Sequence, residues 1–297
     1  MPCALTIAGS DSSGGAGIQA DLKTFTVLGV YGASVITGIT AQNTMGVRGV
    51  ELVSEDMVRG QLEAVLEDLP IRAIKTGMLG SAGIVRTVAD TLKHWPGIPL
   101  VIDPVMVSKS GHVLLESDAR EAVLEHLCPM ATVITPNLHE AGILAGMQVE
   151  TPEDMMLAAR RLAGFGPRYV VVKGGHLRGG RAADFVWDGN TGTFLWAPRV
   201  PTRHTHGTGC TFSAAIAAFL AMGDEIPRAL RRAKSFITRA VTTAPGIGGG
   251  HGPVNQLCWL GQTCPEHVDG FNYTLLSDSD RDAAGDRDSN DKMRGKR

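Results

Sequence analysis

The residues with the most chemical content lie in the stretch His204-Thr205-His206-Gly207-Thr208-Gly209-Cys210-Thr211. Gly207 and Gly209 tolerate positive φ and let the backbone approach a ligand with no Cβ in between. The small and apolar residues from Cys210 to Met222 predict a helix whose unpaired N–H groups and positive dipole end face back at that bend. Such a place accepts an anion, most often a phosphate. Cys210 stands at its mouth, where a helix N-terminus lowers a thiol pKa. Taken alone, the stretch also reads as a glycine turn before a buried helix, with Cys210 a small apolar residue.

Other residues add to this chemistry. Asp103, Asn137 and Glu140 offer oxygen ligands for a hard cation, and magnesium uses few protein ligands while keeping waters and phosphate oxygens. Asn137 and Glu140 are three apart at a helix start and share one face. Lys173, at a strand end, can pair with a polyphosphate. The amides of Gly207, Thr208, Gly209 and Cys210 can hold charge developing on a transferred phosphoryl group. Together these suggest phosphoryl transfer from ATP with Mg²⁺, without a P-loop, since no G-x-x-x-x-G-K-[ST] run occurs. Gln42 carries a donor beside an acceptor and matches a heterocycle with the complementary pair. Each residue has an ordinary alternative: Gln42 and Asn43 as a strand-end cap, Asp103-Pro104 as a turn, Asn137 and Glu140 as a helix cap, Lys173 as a surface residue.

The elements that position them alternate. Ala4–Ala8 reads as a buried strand running into Gly9-Ser10-Asp11 and the glycine-rich Ser12 to Gly17, then a helix spaced at Ile18, Leu22 and Phe25. Strands are predicted at 33–40, 73–77, 99–105, 132–135 and 169–172. Helices are predicted from the Ser54 cap through Leu69, at 81–95, at 117–127, from Thr151-Pro152-Glu153-Asp154 to Gly164, and at 225–243. Segments 182–187 and 193–196 form a hairpin around Asp188-Gly189-Asn190. This pattern predicts an α/β domain with a mostly parallel sheet, helices on both faces and an antiparallel hairpin at one edge. Ligands bind such sheets beyond the C-terminal strand ends, where Asp11, Gln42, Asp103, Asn137, Glu140, Lys173 and the bend all fall. A dinucleotide-binding reading is not supported: the G-x-G-x-x-G spacing is absent, and no acidic residue closes a second strand at the expected distance.

Composition narrows the class. The chain has 297 residues, 43% apolar and 20% charged, with a net charge of −2, so it lacks the basic field of a nucleic-acid binder. Its five cysteines are odd in number and include no C-x-x-C pair, which argues against a disulfide framework and for a cytoplasmic setting. No secretory signal or membrane-spanning stretch is evident, and no membrane partner is expected. Residues 261–297 are rich in Asp, Arg, Ser and Gly with balanced charge and are expected to form a disordered polar tail after a 1–260 domain.

Several longer motifs carry a resemblance: Ala8 to Phe25, Val35 to Thr44, Lys75-Thr76-Gly77-Met78-Leu79, Asp103-Pro104-Val105-Met106, Thr135 to Ala141, Lys173-Gly174-Gly175-His176 and Thr205 to Thr211. In this order they resemble the hydroxymethylpyrimidine/phosphomethylpyrimidine kinases of thiamine biosynthesis, a branch of the ribokinase-like family, over about residues 3 to 257. The resemblance implies a three-layer αβα fold and usually a homodimer. It implies ATP- and Mg²⁺-dependent phosphorylation of 4-amino-5-hydroxymethyl-2-methylpyrimidine and then of its monophosphate. It also implies that Gln42 reads the aminopyrimidine edge and that Gly9, Asp21, Thr40, Met78 and Val105 wall the pocket. Lys173, Asn137, His206 and Lys234 would meet ATP, Asp103 and Glu140 the metal, and Gly207 to Cys210 would form the anion hole, with Cys210 where ribokinases place a base. A pyridoxal kinase of the same fold is the alternative, and a silent nucleotide- or vitamin-binding regulator a further one. From the chemistry, only the first acceptor, an alcohol, needs a base, so Cys210 with a lowered pKa is expected to serve the first step alone.

Overall fold

The structure, a computed structural model, describes residues 1–106, 117–175, 177 and 181–260. The expected tail at 261–297, Cys264 and His176 lie outside the described residues.

Period-two alternation builds the central sheet. Six parallel strands, β1 (Cys3–Ala8), β2 (Tyr31–Ile36), β5 (Ile71–Thr76), β6 (Leu100–Ile102), β7 (Val133–Ile134) and β8 (Tyr169–Gly174), are joined at one edge by the antiparallel hairpin β9 (Arg181–Trp187) and β10 (Gly192–Pro198). The order across the sheet is β10-β9-β8-β7-β6-β5-β1-β2. Successive side chains enter opposite cores: Leu5, Ile74, Ile102, Ile134 and Val172 point to one, while Ala4, Ala73, Val101, Val133 and Val171 point to the other. The first core is covered by α2 (Glu55–Asp68), α3 (Ala82–Leu92), α4 (Ser117–Ala122), α5 (Leu138–Ala145) and α6 (Pro152–Ala163). The second is covered by α1 (Gly17–Val27), α7 (Thr208–Ala221) and α8 (Ile226–Thr242). The result is the expected three-layer αβα arrangement with an antiparallel edge hairpin.

Helix α7 is the centre of its layer. Every residue from Thr211 to Ala221 is buried, and its alanines let α1 and α8 approach closely. Two starts follow the expected chemistry: Ser54 Oγ accepts from the Met57 amide, and Thr151 with Asp154 forms a capping box at α6.

One stretch differs from expectation. The predicted strand 33–40 is two strands, broken at Thr37. There the Thr37 amide bonds the Ala8 carbonyl at 3.1 Å and its hydroxyl donates to the Met78 carbonyl at 2.6 Å. Beyond the break, β3 (Gly38–Asn43) leaves the main sheet and pairs with β4 (Gly46–Leu52) as a separate two-stranded sheet. This small sheet carries Thr40 and Gln42 over the C-terminal end of the main one.

Candidate active site

The strand order reverses direction at β1, between β2 and β5, and there the C-terminal strand ends open a cleft. β1 delivers Gly9 and Asp11, β5 delivers Lys75, β6 Asp103, β7 Asn137 and Glu140, and β8 Lys173. The N-terminus of α7 closes one side and β3 the other.

The bend before α7 is built only from glycine-compatible geometry. Gly207 has φ 78° and caps the helix, and a Cβ there would run into the Gly15 carbonyl oxygen. This close approach joins the two glycine-rich segments, and hydrogen bonds of His206, Asp11 and Gln256 hold it. His206 Nε2 and Asp11 Oδ2 are 2.8 Å apart. Asp11 also accepts from the amides of Ser13, Gly15 and Ala16 and from the Ser13 hydroxyl. Gln256 Nε2 donates to the Gly15 carbonyl at 3.0 Å and to Thr211 Oγ1 at 3.3 Å. Burial alone would raise the Asp11 carboxyl, but His206, the Ser13 hydroxyl and the Ala16 amide hold it down to about 2. Asp11 is therefore a charged clamp between the first loop and the anion bend.

The opposite wall holds the carboxylates. Lys173 Nζ donates to Asp103 Oδ1 at 2.8 Å, and Ser213 Oγ lies 3.3 Å from Asp103 Oδ2. Asn137 Oδ1 accepts from the Glu140 amide at 3.0 Å, while Glu140 Oε2 accepts from the Asn137 amide at 2.8 Å, a complete capping box for α5. The spacing of three thus serves the helix start and faces Glu140 toward Asp103. Burial pushes the Glu140 carboxyl up to about 7 and Asp103 reinforces this, against Lys173 and the amides of Asn137 and Met106. Burial would lower Lys173, but Asp103 and Glu140 raise its pKa and keep it charged.

Beneath the floor lies a wholly buried ion pair. Lys75 Nζ donates to Asp21 Oδ2 at 2.8 Å, and the Thr6 hydroxyl donates to the same oxygen at 2.6 Å. Burial would discharge Lys75, yet Asp21, with Cys210 and Asp103, raises its pKa above the usual lysine range. On the β3 side, the Met78 thioether fills the space where a Gly9 Cβ would stand, and the Thr40 hydroxyl donates to the Ser10 carbonyl at 2.9 Å. The Gln42 side-chain amide lines the cleft and has no hydrogen-bond partner among the described residues.

An oxyanion-type bend, a lysine, paired carboxylates and a free amide share one cleft at a strand-order reversal, a set with the chemistry that phosphoryl transfer uses. The chain matches the family described as phosphomethylpyrimidine kinase over residues 11–255. It belongs to that family. It is therefore a phosphotransferase. The hydroxymethylpyrimidine/phosphomethylpyrimidine kinase of Streptomyces coelicolor is 49% identical over 261 residues, covering 88% of this chain and 96% of the relative. A crystal structure of phosphomethylpyrimidine kinase from Clostridium difficile matches with TM-score 0.72 and 45% identity over 81% of this chain and 100% of that one. The pyridoxal kinase of Staphylococcus aureus in complex with AMP-PCP and pyridoxal matches with TM-score 0.83 and 34% identity over 93% of this chain and 98% of that one.

Most of the expected site residues meet on the cleft: Gly9, Thr40, Gln42, Met78 and Val105 line it together, with Asp103, Asn137, Glu140 and Lys173 on the wall and His206 through Cys210 at the bend. Two expectations are corrected. Asp21 does not wall the pocket; it is fully buried beneath it as the partner of Lys75. Lys234 does not reach the cleft: its Nζ lies 2.6 Å from Asp184 Oδ2, and Asp184 Oδ1 accepts from the Gly174 amide at 3.0 Å, so the pair braces β9 and the end of β8 against α8. A third correction concerns Cys210, whose thiol is raised rather than lowered. Burial pushes it to about 12, Asp21 and Asp103 add to this, and Lys75 with the Gly17 amide only partly opposes them. Desolvation outweighs the helix N-terminus here. The sequence reading missed Lys75 as a cleft residue, although a lysine closing the otherwise apolar run Ala73-Ile74 was a visible signal.

Proposed function

We propose that the chain uses ATP and Mg²⁺ to phosphorylate 4-amino-5-hydroxymethyl-2-methylpyrimidine and then its monophosphate, in thiamine biosynthesis, with residues 1–260 as the kinase unit. The observation that carries the reading is the unpartnered Gln42 amide facing the same cleft as the Gly207–Cys210 bend. The amide pairs with the aminopyrimidine edge, and the bend sits where the transferred group passes. Lys173, Asn137 and His206 surround the polyphosphate. Asp103 and Glu140 fit Mg²⁺: both are hard oxygen donors on the cleft, and Asp103 helps to raise the Glu140 pKa, a repulsion that a divalent cation relieves. Mg²⁺ held there supplies charge neutralisation to the phosphate oxygens.

A thiol near 12 is protonated at neutral pH, so Cys210 is not a ready base. In a loose phosphoryl-transfer transition state the acceptor's proton departs late, and placing the acceptor in line matters more than ionising it. Cys210→Ala is then expected to lower kcat/KM for both phosphorylations by a similar factor of about ten. A loss confined to the alcohol acceptor would restore the base role.

The decisive test of the function is product analysis with purified protein, Mg-ATP and the hydroxymethylpyrimidine: mono- and then diphosphate should appear. Pyridoxal is the second reading, favoured by the likeness to the pyridoxal-bound S. aureus enzyme, and a pyridoxal kcat/KM exceeding that for the pyrimidine would replace the first. We also infer a homodimer, on the resemblance and on the exposed apolar side chains Tyr31, Ile39, Met45, Val50 and Leu52 scattered over β2 and the β3–β4 hairpin. A cytoplasmic setting is supported by free Cys3, Cys128, Cys210 and Cys258, and among the described residues no helix is long and apolar enough to cross a membrane.

A further inference from the structure

Ser12 is exposed and does not line the cleft, yet it takes both main-chain hydrogen bonds of Gln42. The Gln42 amide donates to Ser12 Oγ at 2.8 Å, and Ser12 Oγ donates back to the Gln42 carbonyl at 2.7 Å. Two residues earlier Ser10 does the same kind of work: its amide bonds the Gly38 carbonyl at 2.9 Å, and its Oγ accepts from the Thr40 amide at 3.1 Å. Segment 10–12 thus stands in for a third strand beside β3, with serine hydroxyls replacing main-chain partners.

The need for this appears on the other edge of β3. Ala41 pairs with Gly49, but Gln42 pairs with Val47, so Arg48 is left over and the β3–β4 ladder slips at the residue that faces the cleft. A bulge of this kind bends a strand and re-aims a side chain, and it leaves the orientation of Gln42 weakly specified from that side. Ser12 restores the specification from the other.

We propose that Ser12 is a positioning residue for acceptor recognition, holding the Gln42 main chain so that its free amide presents donor and acceptor to the ring; this rests on the pyrimidine-kinase reading above. Ser12→Ala should raise KM for the hydroxymethylpyrimidine about tenfold, the order expected from losing two hydrogen bonds, while KM for ATP stays unchanged. Ser12→Thr keeps the hydroxyl and should restore KM.

A double-mutant cycle with Gln42→Ala separates positioning from general structure. If Ser12 acts through Gln42, adding Ser12→Ala to Gln42→Ala raises KM no further. Equal costs in both backgrounds, a matching rise in KM for ATP, or a silent Ser12→Ala beside a damaging Gln42→Ala would each overturn the proposal. A wild-type protein that fails to phosphorylate the pyrimidine, or a Gln42→Ala variant that binds it normally, would instead overturn the functional reading, and the proposal with it.

Discussion

Lys173→Met is expected to lower kcat/KM on the order of 10³-fold without unfolding the protein. Lys173 Nζ is the cation that faces Asp103 across the cleft wall, at 2.8 Å, and it also opposes the charge of Glu140. The other lysine of the cleft cannot replace it, because Lys75 is committed to Asp21 in the floor. With the polyphosphate at the α7 N-terminus as proposed, loss of Lys173 would leave it facing Asp103 and Glu140 without that lysine's charge. Half-charges at a helix end do not offset that. Arginine should not rescue the variant fully: a longer, planar guanidinium does not reproduce the compact ammonium that meets Asp103 Oδ1 at 2.8 Å. Asp103 keeps Ser213 and Thr135 hydroxyls nearby, which is why the fold should survive. Steady-state kinetics with both acceptors, beside a thermal melt, gives the answer; a loss of under tenfold would remove Lys173 from the reaction.

What the sequence revealed and what it hid divide along a physical line. Continuous β-branched runs such as Val170 to Val172 and capped helix starts such as Thr151-Pro152-Glu153-Asp154 are local signals, and they gave the layers and the edge hairpin. Gly207 was legible because the demand for positive φ is a property of one residue. The break at Thr37 was not, since its cause is a hydroxyl reaching Met78, forty-one residues away. Strand β4 was hidden because Gly46 and Gly49 weaken strand propensity, and only pairing with β3 makes it extended. Asp21 and Lys75 are fifty-four positions apart, so neither residue announces the ion pair. The Cys210 charge state turned on desolvation, which helix position alone does not reveal.

Glu140→Gln should move stability and activity in opposite directions. The folded protein raises the Glu140 pKa from the usual 4.5 to about 7, so the native state holds this proton more tightly than the unfolded chain. The resulting stabilisation is complete below about 4.5 and is lost as pH rises through about 7, a change of roughly 3 kcal/mol. Above that, wild type carries a buried carboxylate close to Asp103. Glutamine removes the charge and keeps an oxygen for the Asn137 amide, so the variant should melt several degrees higher than wild type at pH 8, and the two should converge near pH 5. With Glu140 in its proposed role as a Mg²⁺ ligand, the same change removes one anionic donor, and Mg²⁺-dependent turnover should fall at least about a hundredfold. Mg-ATP should then raise the melting temperature of wild type at pH 8 far more than that of the variant, because only the carboxylate gains a cation on binding. A variant less stable than wild type at pH 8, or one that turns over normally, would mean that Glu140 serves the α5 capping box alone. The Glu140–Asp103 repulsion that weakens the fold near neutral pH is thus the repulsion that the proposed cation would remove.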